Sequence, residues 1–316
     1  MKAVSRTPRA TLFLRQPPNQ HWRASQPTLS RRAIPMRKRR FIQTDVFSSH
    51  PTKGNGLAVV VDGEDMTDAQ MQAFAAWTNL AETTFLLPPT DAKADYRVRI
   101  FTTAREMLFA GHPTLGSCAA WLHCGGVARN ASSVIQECAI GLVEIDLTGD
   151  TPAFVAPDTR IEVMPDDTRD RLVAQLQIDP SAVVSAALLE NGPSWQVLEL
   201  RSAGDVLAID ASRVRWPEYQ GVSVIGAHTD NDPCDYEVRN LSPSSGMSED
   251  PITGSLNAAI AKWMQHEGRL TRDLIVAQGT VIGRQGRVTI RRRNDGSDDV
   301  LIGGHAQVVI DGHVML

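Results

Sequence analysis

Two short segments of the chain place an ionisable residue directly before a proline at a predicted helix start. They are His112-Pro113 and Asp250-Pro251. Proline is favoured in the first helical turn, where its missing N–H would be unpaired anyway, so both ionisable residues are expected at or beside an N-cap. A helix start offers free backbone N–H groups and a partial positive charge. Two such starts facing one cleft would bind a carboxylate or stabilise a developing enolate oxygen.

The two segments belong to an internal repeat. Residues 112–120 align without gaps on residues 250–258, with Pro, Gly, Ser and Ala at matching positions, and residues 98–103 resemble residues 238–243. Two matching pairs in the same order and at nearly the same separation indicate a duplicated lobe. We therefore expect the active site in the cleft between the two copies.

The third candidate for acid-base chemistry is Glu82, which lies between a predicted helix and an apolar strand. Burial at such a position can raise the pKa of a carboxyl group, which can then serve as general acid and base. The alternatives are a solvated loop charge for Glu82, a plain helix cap for Asp250 and a structural histidine for His112. The repeat argues against the alternatives for His112 and Asp250, whereas context must decide the role of Glu82.

A sheet with helices packed on it is predicted to position these residues. Helical spacing and a threonine N-cap predict a helix over 67–78, and a second helix is predicted from Pro251. Alternation and β-branched content predict strands in both halves of the chain. These strands are 41–47, 57–61, 83–87, 96–102, 134–138, 142–147, 185–190, 195–201, 222–227, 236–241, 280–283, 287–291 and 307–310.

Length and composition predict a globular protein of two lobes. The chain has 316 residues and 42% hydrophobic content, which is ample for a core. The lobes are predicted at 41–150 and 151–316, with a final strand that returns to the first lobe as an option, and a Pro- and Gly-containing crossing at 147–160. The apolar runs are strand-sized, so no membrane span and no membrane partner are expected.

Residues 1–40 differ from the rest, because they carry eleven Lys or Arg and no Asp or Glu. Such a basic leader, poor in hydrophobic periodicity, is predicted to be disordered. It fits a transit peptide, a basic arm that touches nucleic acid or lipid, or a dispensable extension before Met36; a secretory signal would need an apolar stretch that it lacks. A nucleic-acid partner is not expected, since the leader lacks the interleaved aromatics of a stacking platform.

The four cysteines indicate a reducing compartment, and the cytoplasm is the expected localisation. Cys118, Cys124, Cys138 and Cys234 form no CxxC pair and no Cys/His cluster with zinc-binding spacing, so no metal site is expected.

The motifs around the candidate residues resemble the phenazine-biosynthesis PhzF-like family, which shares the two-lobed fold of diaminopimelate epimerase. The resemblance runs from residue 41 to the end of the chain. The motifs are Asp45-Val-Phe47, Gly54-Asn55, Asn79-Leu-Ala-Glu82-Thr-Thr-Phe85, Gly111-His112-Pro-Thr-Leu-Gly116, Ser248-Glu-Asp250-Pro-Ile-Thr-Gly254-Ser255, Gln278-Gly279 and Gly303-Gly304.

The resemblance implies an α/β (α+β) fold of two pseudo-symmetric lobes, each a mixed β-sheet wrapped around a central helix. It also implies a cofactor-independent homodimeric isomerase that moves a proton on a dihydro-hydroxyanthranilate or a related small cyclic unsaturated carboxylate. Glu82 then resembles the proton-shuttling glutamate, and His112 and Asp250 flank the substrate ring. The residues expected to bind the anionic substrate are Asn55, Gly111, Thr114, Thr253, Gly254 and Ser255.

The motifs leave the substrate and other functions open. The Phe-x-Pro of the family reads Phe101-Thr-Thr103 here, and its counterpart in the second lobe reads Leu241-Ser-Pro243, so the substrate is not fixed by the motifs. A binding protein that holds a small anion without turnover is the main alternative. A two-thiol epimerase is disfavoured, because it needs cysteines at the helix starts and Cys118 lies about two turns into its helix.

Overall fold

The computed structural model describes residues 36–213, 221–241, 249–293 and 295–316, which contain seventeen strands and five α-helices. The strands of the first half are β1 (Lys38–Val46), β2 (Asn55–Val60), β3 (Glu82–Leu87), β4 (Tyr96–Thr102), β5 (Glu106–Met107), β6 (Ser133–Cys138), β7 (Gly141–Asp146), β8 (Ala153–Val155) and β9 (Arg160–Val163). Those of the second half are β10 (Val183–Glu190), β11 (Ser194–Leu200), β12 (Val222–Ala227), β13 (Tyr236–Leu241), β14 (Leu274–Gln278), β15 (Gly286–Arg292), β16 (Val300–Gly303) and β17 (Ala306–Met315). The helices are α1 (Asp68–Thr78), α2 (Gly111–His123), α3 (Asp166–Leu176), α4 (Ala203–Leu207) and α5 (Gly254–His266).

The two halves of the sheet follow the same plan. In the first half β1 and β2 are antiparallel, β2 and β3 are parallel with α1 between them, and β3 and β4 are antiparallel. Strands β4 and β6 are parallel, and α2 lies between them in the chain. Strand β7 is antiparallel to both β6 and β8. Strands β10 to β16 repeat every one of these pairings, with α4 and α5 in the places of α1 and α2. The sheet topology confirms the predicted fold of two pseudo-symmetric lobes.

Three strand pairings join the halves. Strand β8 pairs with β16, β9 pairs with β10, and β17 pairs with β1. The last strand of each half therefore lies against the first strand of the other half. Strand β1 begins at Lys38, three residues before the predicted boundary at 41, because Lys38 pairs with Met315 of β17. Residues 1–35 of the basic leader lie outside the described residues.

Helices α2 and α5 are the central helices. Helix α2 packs against β1, β2, β3 and β17, and α5 packs against β10, β15 and β16. Small residues such as Ala258, Ala259 and Ala261 make α5 apolar on nearly every side, and they are fully buried. A helix that is apolar all round is stable only where it is covered on all sides, which the sheet provides. Within the described residues no helix combines the length and hydropathy that a bilayer crossing requires.

The structure corrects two predictions about local structure and adds a helix. Helix α5 begins at Gly254 and not at Pro251, because the N–H of Asp250 bonds to the carbonyl of Asn240 and keeps this stretch extended. Residues 280–283 form a 3-10 turn between two glycines with positive φ, and the neighbouring strand is β14. Helix α3 was not predicted from the sequence. The predicted N-cap at Thr67 is confirmed, with Gln70 completing a capping box.

Candidate active site

The starts of the two central helices touch each other. A Cβ added to Gly111 would lie 3.0 Å from the Cα of Gly254 and 2.7 Å from the ring of Phe154, so only glycine fits at this position. The N-cap residues are Ala110 and Thr253, and neither side chain caps the helix it precedes. The first turns of α2 and α5 therefore present backbone N–H groups without side-chain caps, together with the positive ends of both helix dipoles.

Glu82 and His112 meet beside this contact. Glu82 is the first residue of β3 and His112 is the second residue of α2, and Glu82 Oε2 lies 3.4 Å from His112 Nε2. Their side chains are 17% and 5% exposed. Neither of these two buried atoms has a hydrogen-bond partner among the described residues, and the pair itself is not aligned as a hydrogen bond. Buried polar atoms are nearly always paired, so an unpaired couple indicates a place where a ligand completes the site.

Burial shifts the two pKa values in opposite directions. Burial raises the pKa of Glu82 to about 8, and the negative charge of Asp250 adds to this effect. Burial lowers the pKa of His112 to about 3. At neutral pH the imidazole is therefore neutral and the carboxyl group holds a proton.

Asn55 connects His112 to Asp250. Its Nδ2 donates to the carbonyl of Ile252 at 2.9 Å and lies 3.4 Å from both His112 Nδ1 and Asp250 Oδ1. The Ile252 carbonyl can only accept, so the amide nitrogen must face this cluster and His112 Nδ1 is an acceptor. Neutral His112 then carries its proton on Nε2, which is the atom facing Glu82.

The loop between β1 and β2 positions Asn55. Asp45 accepts a hydrogen bond from the N–H of Gly54 at 2.9 Å and so closes the loop directly before Asn55. A Cβ on Gly54 would lie 2.2 Å from the carbonyl oxygen of Val46, which explains the glycine. The motif residues Asp45 and Gly54 thus act on the site through the placement of Asn55.

Asp250 is held by hydrogen bonds on both its main chain and its side chain. Its Oδ2 accepts from the Thr253 hydroxyl at 2.5 Å, and its N–H donates to the Asn240 carbonyl at 3.0 Å. Burial raises the pKa of Asp250, whereas hydrogen bonds from Thr253, Asn55 and Asn240 act to lower it. The sequence placed Asp250 at a helix N-cap, but it lies on the extended stretch that leads to α5, whose N-cap is Thr253.

A buried network of amide side chains supports Thr253. Its hydroxyl accepts from Asn240 Nδ2 at 3.1 Å and from Gln278 Nε2 at 3.0 Å. Gln278 Oε1 accepts in turn from the N–H of Thr253 at 3.0 Å and from Asn257 Nδ2 at 2.9 Å. No role was predicted from the sequence for Asn240, Asn257 or Gln278. Asn257 and Gln278 are polar residues in otherwise apolar stretches of α5 and β14, and such residues need partners when buried.

Two other predicted substrate-binding residues lie in the first turns of the helices. The Thr114 hydroxyl donates to the carbonyl of Ala110 at 3.0 Å and accepts from Gln136 at 3.1 Å, so it is used within the fold. Ser255 is the second residue of α5, and its carbonyl accepts from Asn191 Nδ2 at 2.8 Å. The motif residue Ser248 and Pro243 lie outside the described residues.

The site contains no cysteine at either helix start. Cys118 is buried within α2, and burial raises the pKa of its thiol to about 12, which disfavours a thiolate. In the part of the chain that the structure describes, no group of three or more His, Cys, Asp or Glu side chains is arranged to hold a metal ion.

Comparisons with known proteins agree with the fold and the motifs. A family model described as phenazine biosynthesis-like protein matches residues 44–312. The Schizosaccharomyces pombe protein named antisense-enhancing sequence 1 is 34% identical over 296 residues, which cover 88% of this chain and 99% of that protein. The trans-2,3-dihydro-3-hydroxyanthranilate isomerase of Pseudomonas aeruginosa is 27% identical over 289 residues, which cover 88% of this chain and 99% of that enzyme.

The same family is found among solved structures. A PhzF-family phenazine biosynthesis protein of Bacillus anthracis matches with a TM-score of 0.75 at 21% identity, over 89% of this chain and 100% of that one. This likeness supports the fold, and the named isomerases among the relatives support an isomerase. The family model covers far more than half of the sequence, and the chain belongs to the phenazine biosynthesis-like protein family.

Proposed function

We propose that the protein is a cofactor-independent isomerase that moves a proton between two carbons of a small cyclic unsaturated carboxylate, of the dihydro-hydroxyanthranilate class. One observation carries this proposal. The buried and unpartnered atoms of Glu82 and His112 lie 3.4 Å apart at the junction of two helix starts without side-chain caps. This arrangement combines a proton carrier with donors for an anion, which is what such a reaction needs.

Glu82 is the proton carrier in this proposal. At neutral pH a minority of the Glu82 groups is ionised. This ionised carboxylate removes a proton from one ring carbon, and the electron pair of that C–H bond shifts along the adjacent double bond. The carboxyl group then returns the proton to the carbon at the far end of the allylic system. One C–H bond breaks and one forms, so the product is an isomer and no oxidant or reductant is consumed.

The environment of Glu82 fits this role. Burial raises its pKa to about 8, which makes its carboxylate a stronger base than an exposed one and keeps the group near its titration point at neutral pH. His112, neutral and with its proton on Nε2, faces the Glu82 carboxyl group across 3.4 Å. Asp250 and Asn55 lie on the other side of the imidazole and face the polar groups of the substrate ring.

The substrate carboxylate binds to the helix starts. The backbone N–H groups at Gly111, Gly254 and Ser255 have no side-chain cap, and the helix dipoles favour an anion there. The relatives named trans-2,3-dihydro-3-hydroxyanthranilate isomerase suggest the class of substrate to test first. Because Phe101-Thr-Thr103 departs from the family pattern, the panel should include related cyclic unsaturated acids.

Proton NMR in deuterated water tests the proposal. The purified protein is incubated with trans-2,3-dihydro-3-hydroxyanthranilate and a panel of related cyclic unsaturated acids. We expect isomerisation of one of these acids with deuterium incorporated at a ring carbon. Saturable binding of an acid with no exchange and no isomerisation would reject the enzyme and favour a protein that binds a small anion.

A further inference from the structure

A fully buried ion pair lies directly behind the candidate site. Arg239 of β13 and Glu249 have side chains that are 1% and 0% exposed. Arg239 Nη2 lies 2.8 Å from Glu249 Oε2, and Arg239 Nε lies 3.1 Å from both carboxylate oxygens. The guanidinium group therefore binds the carboxylate through two of its nitrogens, an arrangement that fixes both distance and orientation.

The third nitrogen of the Arg239 guanidinium group, Nη1, connects this pair to α4. Arg239 Nη1 donates to the carbonyl of Val206 at 3.1 Å and to the carbonyl of Ile209 at 2.7 Å. Both carbonyls lie at or just after the C-terminal end of α4, where a positive charge is favoured. One side chain thus ties together β13, the end of α4 and the stretch that begins at Glu249.

Each member of the ion pair is followed in sequence by a residue of the site. Asn240 follows Arg239, and Asp250 follows Glu249. The Asn240 carbonyl accepts from the N–H of Asp250, and Asn240 Nδ2 donates to the Thr253 hydroxyl, which bonds to the Asp250 carboxylate. The ion pair is therefore joined to Asp250 both by the adjacent main chain and by the two hydrogen bonds of Asn240.

Stability alone is a weak explanation for this pair. Taking two charges out of water offsets most of their attraction, so a buried ion pair is often no better for stability than apolar residues of similar size. The fixed geometry of the ion pair explains its presence better, because it sets the position of the residues next to it. The negative charge of Glu249 also raises the pKa of Asp250, so an unanchored Glu249 would disturb the neighbouring carboxyl group.

We propose that Arg239 and Glu249 are a positioning pair, whose bidentate ion pair holds the Asp250 carboxyl group against Asn55 and Thr253. Asn55 passes this placement on to His112 and so to the Glu82 carboxyl group. This inference rests on the proposed function, because it assigns the pair a part in the same acid-base site. The two residues act through Asp250 and do not touch the substrate.

Arg239→Lys is the first test, because it keeps the charge and removes the two-nitrogen contact. We expect kcat to fall at least tenfold with KM changed less than threefold. A second variant, Arg239→Met with Glu249→Leu, replaces the pair by apolar residues. We expect the same loss of kcat in it, at a melting temperature that shows a folded protein.

A carbon-13 NMR titration of the Asp250 carboxyl group supplies a readout that needs no turnover. Burial raises the pKa of Asp250, and hydrogen bonds from Thr253 and Asn55 act against this rise. Loss of these hydrogen bonds in Arg239→Lys should therefore raise the titration midpoint further. The signal is assigned with Asp250→Asn. The control is Arg269→Lys, whose ion pair with Glu199 lies near the C-terminal end of α5 and should leave both readouts unchanged.

The outcomes separate the two proposals. If the parent isomerises a substrate while both Arg239 variants keep full kcat and an unchanged Asp250 titration, the positioning pair is wrong and the proposed function stands. If the parent turns over nothing, the proposed function fails. The Asp250 titration in Arg239→Lys then still decides the inference, because a shift supports the positioning role and an unchanged midpoint overturns it.

Discussion

Glu82 Oε2 lies 3.4 Å from His112 Nε2, and burial shifts the pKa values of these two groups in opposite directions. The pKa of Glu82 is raised to about 8 and that of His112 is lowered to about 3. The usual order of protonation is therefore inverted, with the proton on the carboxyl group and the imidazole neutral. The pair of Glu82 and His112 is therefore uncharged in its main form at neutral pH.

The raised pKa of Glu82 makes stability depend on pH. Its ordinary value is 4.5 and its folded value is about 8, so between these values the folded protein holds one proton more than the unfolded chain. The free energy of unfolding must then fall as pH rises, by up to about 1.4 kcal/mol per pH unit. Urea unfolding at pH 6.5, 7.2 and 8.0 should show this decline in the parent and not in Glu82→Gln. The exposed control Glu64→Gln should follow the parent, and equal slopes in Glu82→Gln and the parent would refute the shift.

The lowered pKa of His112 makes stability depend on pH in the opposite direction. Its ordinary value is 6.5 and its folded value is about 3, so between these values the unfolded chain binds the extra proton and stability falls as pH falls. Between pH 4.5 and 6.5 this effect opposes that of Glu82, so stability is a poor readout there. Nitrogen-15 NMR of the imidazole is direct, and at pH 5 we expect His112 to be neutral with its proton on Nε2. A doubly protonated ring, or a proton on Nδ1, would contradict the hydrogen-bond assignment.

Replacing Asn55 should lower both kcat and the free energy of unfolding. Asn55→Leu keeps the shape of the side chain but removes the donor to the Ile252 carbonyl and the contacts with His112 and Asp250. Leaving a buried carbonyl unpaired costs about 1 to 3 kcal/mol. We expect a comparable loss in urea-induced unfolding and at least a tenfold loss of kcat. Activity within twofold of the parent would show that Asn55 does not align the site.

The contact between the helix starts should tolerate no added methyl group. A Cβ at Gly111 would lie 2.7 Å from the Phe154 ring and 3.0 Å from the Gly254 backbone. Gly111→Ala must therefore push the two helices apart, and overpacking of this kind costs about 1 to 3 kcal/mol. We expect lower thermal stability and a large loss of activity. Gly204→Ala is the control, because its nearest neighbour is 3.5 Å away, and it should change neither property.

The sequence predicted the lobes better than the helix starts. In the described residues, the repeat falls on β4 at 98–102 and on β13 at 238–241, and these strands hold equivalent places in the two halves. The gapless match of His112 with Asp250 does not extend to the helices, since α2 starts at Gly111 and α5 starts at Gly254. Proline lies within the first turn in one case and before the helix in the other. A backbone bond from Asp250 to Asn240 decides this difference, and such a long-range bond leaves no local pattern.

The sequence indicated the ionisable residues of the candidate site together with Asn55 and Thr253, but it did not indicate Asn240, Asn257 or Gln278. Glu82, His112 and Asp250 are recognisable because their residue types can move protons, and the structure brings Glu82 to His112 and joins His112 to Asp250 through Asn55. Asn240, Asn257 and Gln278 form the support for Thr253, and their roles depend on which strands neighbour α5. Pairing between strands that are distant in sequence decides which strands lie beside α5, so local sequence patterns do not reveal these three residues.

The most direct test of Glu82 as the proton carrier is deuterium exchange by Glu82→Gln. The parent and the variant are compared by proton NMR in deuterated water, on the acid that the parent isomerises. General acid-base groups contribute about 10²- to 10⁴-fold to rates, so both isomerisation and deuterium incorporation should fall by at least a hundredfold in Glu82→Gln, with the fold intact. Glu64→Gln should keep the parent rate. If Glu82→Gln incorporates deuterium at the parent rate, Glu82 is not the proton carrier and the central claim is wrong.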